Sequence, residues 1–211
     1  MRIPVAKEVM PYFIPSILLT VIFFAFNLWF GIIGLIISIY FLYFFRDPER
    51  TLPDLKNAIV SPADGVIVGV DHVMENEFFK DKVCRISIFL SIFNVHMNYS
   101  PINGKVVYFN YQKGQFLPAN SPKSAIVNES NSIGISDNNG FKLIVRQIAG
   151  IIARRVVCGV KEGDFIEKGQ KFGMIKFSSR VEVYLPVTAK VKVKKGDIVK
   201  GKISILGEIN K

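Results

Sequence analysis

VKEGDFIEKG, residues 160–169, is answered further along the chain by VKKGDIVKG, residues 193–201, at an offset of 33 residues. Each copy sets Gly-Asp in a tight turn, follows it with a short apolar pair and closes on a second glycine. Two copies are too few for a solenoid, which needs at least about three stacked units. The repeat instead predicts a compact β-sandwich built on a quasi-two-fold plan. The same punctuation runs through the chain from Ile59 onward. Apolar or alternating runs at 65–70, 83–90, 104–111, 141–148, 151–160, 173–177, 181–185 and 189–193 are separated by Gly, Pro, Asn and Asp clusters. That pattern is all-β, with no soluble helix beyond a short turn at 92–95.

The paired turns resemble those of biotinyl- and lipoyl-carrier folds, in which short strands form a flattened barrel. A carrier would also need a modifiable lysine in a tight hairpin, in a Met-Lys-Met type setting. No such tripeptide occurs, so the likeness extends to the fold and not to the carrier function.

The chain before Ile59 has a different character. From Val9 to Phe45, 37 residues pass without Asp, Glu, Lys, Arg or His, more than the roughly 20 needed to cross a bilayer once. A secretory signal has a shorter apolar run and a small-residue cleavage site, whereas this run ends in Phe44-Phe45-Arg46. Asn27, Trp29, Gly31 and Gly34 interrupt it near the middle, which suggests a membrane helical hairpin; one long tilted helix is the competing reading. Arg2 and Lys7 precede the run and Arg46 and Arg50 follow it, a placement that would keep both ends on the cytoplasmic side of the cell membrane. The expected organisation is an anchor at 1–45, a linker at 46–58 and a β-rich domain at 59–211.

The formal net charge is +10, and the last 33 residues hold eight Lys or Arg against three acidic residues. Anionic bilayers attract such surfaces by about 1 kcal/mol per well-placed cation. Nucleic acid is the usual rival, but there is no zinc-finger spacing, RNA-binding aromatic motif or basic helix. With an apolar anchor present, a lipid membrane is the expected partner. Cys84 and Cys158 lie far apart among apolar strand residues and read as buried thiols in a reducing compartment. No metal is expected.

Two histidines can be weighed one by one. His72, followed by Glu75, Asn76 and Glu77, reads as solvent-exposed near a strand end. His96 follows the apolar run Ile86–Phe93 and precedes Asn98-Tyr99-Ser100-Pro101, where a buried strand opens into a turn. By itself such a histidine is as well explained as a satisfied core residue. Ser61-Pro62-Ala63-Asp64-Gly65 projects one carboxylate just ahead of a strand, and Ser178-Ser179 heads the alternating run Arg180–Leu185. A carboxylate, an imidazole and a hydroxyl are the parts of an activated-serine relay, in which the imidazole takes the hydroxyl proton. Spacing alone does not bring them together.

Four motifs in order, Phe44-Phe45-Arg46-Asp47-Pro48-Glu49-Arg50, Ser61-Pro62-Ala63-Asp64-Gly65, Asn94-Val95-His96-Met97-Asn98 and Lys176-Phe177-Ser178-Ser179-Arg180-Val181, resemble the short bacterial and archaeal form of the phosphatidylserine decarboxylase proenzymes. The resemblance implies a pyruvoyl-dependent lyase that converts phosphatidylserine to phosphatidylethanolamine and carbon dioxide. It implies self-cleavage between Ser178 and Ser179 into a β chain of residues 1–178 and an α chain of residues 179–211. Asp64, His96 and Ser179 then carry the relay, and Ser179 becomes the pyruvoyl group that takes the lipid amine as a Schiff base. Ser178 stands where the family has Gly. Phe93 stands where longer bacterial members carry an extra histidine, so the resemblance passes that residue's part in substrate handling to another group, Asn94 or Asn98. An uncleaved, inactive membrane-bound β-domain and a carrier or scaffold are the alternatives, and a homodimer is left open.

Overall fold

The structure, a computed structural model, describes residues 4–117, 124–150, 155–176 and 179–210. It divides into two compact units, Met1–Glu49 and Arg50–Lys211.

The first unit is a helix pair, α1 (Met10–Phe26) and α2 (Leu28–Phe44), so the apolar run takes the hairpin form rather than one long helix. Asn27 breaks it with an extended backbone, and its Oδ1 accepts from the Trp29 N–H at 2.8 Å, capping α2. The facing surfaces are small or hydroxylic. A Cβ on Gly31 would sit 2.2 Å from the Phe24 ring and one on Gly34 2.7 Å from Thr20 Oγ1. Ser38 Oγ donates to Ser16 Oγ at 3.0 Å and lies 3.3 Å from Thr20 Oγ1. Leu18, Val21, Phe26, Trp29, Ile33 and Ile36 are exposed instead. This arrangement, small and polar inside with large and apolar outside, inverts the soluble pattern and matches helix packing in lipid.

Among the described residues, the second unit is all-β apart from a single turn of helix, α3 (Ser124–Val127). Its main sheet is eight-stranded and curled. In spatial order it contains β13 (Ile198–Val199), β2 (Gly65–Glu75), β3 (Asp81–Leu90), β11 (Ser179–Pro186), β7 (Lys142–Ala149), β6 (Ser130–Ser136), β5 (Gly104–Gln112) and β9 (Phe165–Ile166), each antiparallel to its neighbours. Two three-stranded sheets complete the unit. One orders β1 (Ala58–Val60), β14 (Ile205–Glu208) and β12 (Lys190–Val191); the other orders β4 (Met97–Tyr99), β10 (Lys171–Ile175) and β8 (Val156–Cys158). The core lies on the inner face of the large sheet, where Ile86, Ile88, Ile133, Val145, Val181 and Val183 pack with Phe172, Ile175 and Leu206.

The Gly-Asp repeat closes this sheet at both edges. Gly163 and Gly196 each adopt φ of 98°, a left-handed conformation that suits glycine. In each copy the aspartate Oδ2 accepts from the N–H three residues back, Lys161 or Lys194, at 2.9 Å. Gly163 N–H then reaches Val106 O and Gly196 N–H reaches Ile67 O, both at 2.8 Å. The strand after the first turn, β9, pairs with the start of β5, and the strand after the second, β13, with the start of β2. The elements they meet also match, for Ser61-Pro62-Ala63-Asp64-Gly65 and Ser100-Pro101-Ile102-Asn103-Gly104 lead into β2 and β5. In both, the serine Oγ donates to the carbonyl two residues on, at 2.7 Å.

Strand β6 fell outside the runs expected from sequence, because Ser-Asn-Ser-Ile-Gly-Ile-Ser lacks the apolar density of a buried strand. It forms because β5 and β7 pair along its whole length. The run expected at 151–160 is represented by β8, and 151–154 lie outside the described residues.

Candidate active site

Strand register places Asp64 and Ser179 at one end of the large sheet, and His96 lies on the chain that leaves that end of β3. Asp64 immediately precedes β2, Leu90 ends β3, Ser179 begins β11 and Ala149 ends β7, with Ser179 opposite both Leu90 and Ala149. The chain leaving β3 turns through Ser91–Asn94 and reaches His96 just before β4. The His96 carbonyl accepts from Ile175 N–H at 3.3 Å, four residues upstream of Ser179. Ser178, the other half of the expected cleavage bond, lies outside the described residues, as does Phe177.

Ser179 is fully buried, and its Oγ has no hydrogen-bond partner among the described residues. Leaving a buried hydroxyl unsatisfied costs about 1–3 kcal/mol, so the position calls for a functional explanation. Its strand is held on the opposite face by ions. Arg180 Nε lies 3.2 Å from Glu182 Oε1, and Tyr184 Oη donates to Glu182 Oε2 at 2.6 Å. Burial, and then the Glu182 charge, push the Tyr184 hydroxyl well above the ordinary tyrosine range.

His96 is fully buried, and its Nδ1 is 3.0 Å from the Asn94 carbonyl oxygen. A carbonyl only accepts, so this contact puts the proton on Nδ1 and the lone pair of the neutral ring on Nε2, the form a general base requires. Asn94 itself is committed to the turn, because its Oδ1 accepts from Ser91 N–H at 2.8 Å and from Ser91 Oγ at 2.9 Å.

Asp64 is held by Arg50, the last residue of the Phe44–Arg50 motif. Arg50 Nη1 donates to Oδ1 at 2.5 Å and Nη2 to Oδ2 at 2.8 Å, while Gly201 N–H also reaches Oδ1 at 2.8 Å. Arg50 Nη1 further meets the Gly201 carbonyl at 2.9 Å. The carboxylate thereby ties the 61–65 turn to the linker and to the turn after β13. At the equivalent place in the other half, Asn103 Oδ1 accepts from Lys168 N–H at 2.7 Å. That half faces the opposite end of the sheet and borders a groove of about 770 Å³, lined by residues that include Asn103, Phe141, Phe165 and Lys168. The groove is therefore remote from Ser179. His72 lies exposed within β2, paired with Cys84.

The inner face turns polar as it approaches Ser179. The row Ile133, Val145, Val183, Ile86 is apolar; the next is Asn131, Gln147, Val181, Ile88; the last includes Ala149, Ser179 and Leu90. Gln147 reaches across to the small sheet, where its Nε2 donates to Asn98 Oδ1 at 2.7 Å, and Asn131 Nδ2 donates to its Oε1 at 3.3 Å. Gly173 permits this approach, since a Cβ there would lie 2.2 Å from Val157 O and 3.0 Å from Gln147 Nε2. Among the described residues no group of three or more His, Cys, Asp or Glu could hold a metal.

Comparison with known proteins places this geometry in context. The profile of a family described as phosphatidylserine decarboxylase matches residues 37–206. A phosphatidylserine decarboxylase proenzyme of Carboxydothermus hydrogenoformans is 45% identical over 199 residues, 94% of this chain and 93% of that protein. Proenzymes of the same name from Syntrophus aciditrophicus and Desulfotalea psychrophila are each 40% identical, over 96% of both chains in the first case and over 99% of this chain and 98% of the other in the second.

Proposed function

We propose, from the premise that the chain belongs to the phosphatidylserine decarboxylase family, that it is a self-processing lyase converting phosphatidylserine to phosphatidylethanolamine and carbon dioxide at the membrane. The observation that carries this reading is the buried Oγ of Ser179, without a partner among the described residues, at the head of a central strand and at the sheet end where β2 begins just after Asp64.

In the processing step His96 Nε2 takes the Ser179 hydroxyl proton, and Oγ attacks the carbonyl carbon of residue 178. The 178–179 peptide C–N bond breaks, the proton passes to the departing amine, and an ester joins residue 178 to Oγ. Loss of the Ser179 α-proton then breaks the Cβ–Oγ bond, freeing residue 178 as a carboxylate, and a proton is returned to Cβ, which becomes a methyl group. One water molecule replaces the amine, which leaves as ammonia. The Asn94 carbonyl, at 3.0 Å from Nδ1, stabilises the imidazolium.

The residues present fit a pyruvoyl group at 179. It has one heavy atom fewer than the serine residue it replaces, so the packed site need not expand, and it has no hydroxyl donor to satisfy where the Oγ has no partner. Once formed, the group supplies an electron-poor carbonyl able to take up the electron pair left when carbon dioxide departs. The chain's own part is to hold residue 179 by two flanking strands and to keep water from a site whose walls are buried.

The apolar outer surface of the hairpin supports membrane residence. Its first helical segment, Lys7–Phe26, is 20 residues with a mean hydropathy of 2.1. The basic residues at both ends of the hairpin favour the cytoplasmic face.

Intact mass tests the processing directly. The wild-type chain is expected as two fragments, residues 1–178 and 179–211, with Ser179→Ala remaining a single 23.7 kDa chain. A wild-type chain that stays whole, or phosphatidylserine vesicles that yield no phosphatidylethanolamine, would refute the proposal.

A further inference from the structure

The amides beside Ser179 form a chain with a direction. Asn131 Nδ2 donates to Gln147 Oε1, and Gln147 Nε2 donates to Asn98 Oδ1. Because Gln147 must give its N–H groups to Asn98 Oδ1 and, at 3.4 Å, to Val157 O, the orientation of the Asn98 amide follows. Its Nδ2, a donor only, is left over at this end of the chain, as the Asn131 Oδ1 acceptor is at the other. All three residues are buried, and Asn98 Nδ2 has no partner among the described residues. Two unsatisfied polar groups, Ser179 Oγ and Asn98 Nδ2, thus flank Gln147. Gln147 is the diagonal neighbour of Ser179 on the inner face, since Val181 pairs with Gln147 and Ser179 with Ala149. Asn98 also lies two residues from His96, and extended chain turns such residues to one side.

We infer that Asn98, held in orientation by Gln147 and Asn131, is the residue that recognises the carboxylate of the lipid head group; this rests on the decarboxylase reading above. A carboxylate only accepts hydrogen bonds and an amide N–H only donates, so the two are complementary. The neutrality of the donor is itself informative. A buried Lys or Arg would hold the carboxylate as an ion pair and deepen the ground state from which carbon dioxide must leave, whereas an amide orients it with less such stabilisation. The product, phosphatidylethanolamine, lacks the acceptor and returns Asn98 to its unsatisfied state, which disfavours product over substrate. Gln147 and Asn131 act through Asn98 and are positioning residues.

The test uses the self-processed full chain in mixed micelles, with steady-state decarboxylation of phosphatidylserine and competitive inhibition by phosphatidylethanolamine measured side by side. Asn98→Ala is expected to lower kcat/KM for phosphatidylserine by roughly 10- to 100-fold, the worth of one hydrogen bond to a charged acceptor. Inhibition by phosphatidylethanolamine should stay the same or tighten. Asn98→Ser, which keeps a donor, should recover part of the loss, and Gln147→Leu should show the same selective pattern with a smaller amplitude. An unchanged kcat/KM, or equal weakening for both lipids, would overturn the inference. So would loss of self-cleavage in both Asn98 variants, since that would assign the amide to processing. Failure of the wild-type chain to release the 33-residue fragment is a separate result, and it would count against the decarboxylase reading itself.

Discussion

Removing Arg50 should loosen the turn that carries Asp64, and the size of the effect can be worked from the contacts. Arg50 supplies two charge-assisted hydrogen bonds to a carboxylate whose side chain is 11% exposed, and its own side chain is 9% exposed. Hydrogen bonds to charged groups contribute about 1.5–3 kcal/mol each, and removing one member of a buried pair typically costs about 3–5 kcal/mol. Gly201 N–H would remain on Oδ1, so Arg50→Ala should fall at the low end, about 3 kcal/mol. Asp64→Asn should cost a similar amount, by leaving the guanidinium without its counter-charge. The double variant loses both charges together, which predicts a coupling of about 2 kcal/mol in a double-mutant cycle. The assay is equilibrium urea unfolding of the detergent-solubilised full chain on a Ser179→Ala background, which keeps the polypeptide in one piece and the transition reversible. Far-UV circular dichroism in the strand region is the suitable probe, because the sole tryptophan, Trp29, reports on the helix pair. Costs that add within about 0.5 kcal/mol would show that the pair does not hold the turn. On the native Ser179 background, Arg50→Ala should also slow release of the 33-residue fragment; unimpaired release would uncouple the turn from processing.

His96→Ala should leave uncleaved precursor on a denaturing gel, and normal processing would remove His96 from the role of base. Gly173→Ala should destabilise the β unit by about 1–3 kcal/mol, the usual cost of forcing extra volume into a packed site, because the new methyl would meet Val157 O at 2.2 Å; an unchanged urea midpoint would contradict the close approach of the two sheets. Stability should also fall on the alkaline side. Burial, and then its bond to Glu77, push the Tyr108 hydroxyl up to about 12, and Tyr184 is raised as well. From about pH 10 upward the unfolded chain gives up phenolic protons that the folded chain keeps, so it binds fewer protons and stability declines with pH. A pH-titrated urea midpoint that stays flat between about pH 10 and 12 would refute this.

Much of this molecule was legible in the chain itself. The Gly-Asp turns, the alternation of Arg180–Leu185 and the uncharged run Val9–Phe45 depend on local chemistry: turn residues, a side-chain period of two and the length of an apolar segment. They were enough for an all-β unit preceded by a helical hairpin; Asp64, His96 and Ser179 came instead from short motifs, and their roles are proposals. The tertiary structure decided what depends on register. Only strand pairing shows that the two Gly-Asp copies close opposite edges of one sheet, or that Ser-Asn-Ser-Ile-Gly-Ile-Ser is a strand at all. The partners of the Asp64 carboxylate, Arg50 fourteen residues away and Gly201 137 residues away, are likewise set by the fold. Asn98 was one of two candidates for substrate handling and Gln147 was not singled out; β7 and β4 bring their amides, 49 residues apart in sequence, to 2.7 Å. Local pattern reports which face of a strand is buried; which polar groups meet on that face depends on long-range pairing, and the chemistry of this site depends on those meetings.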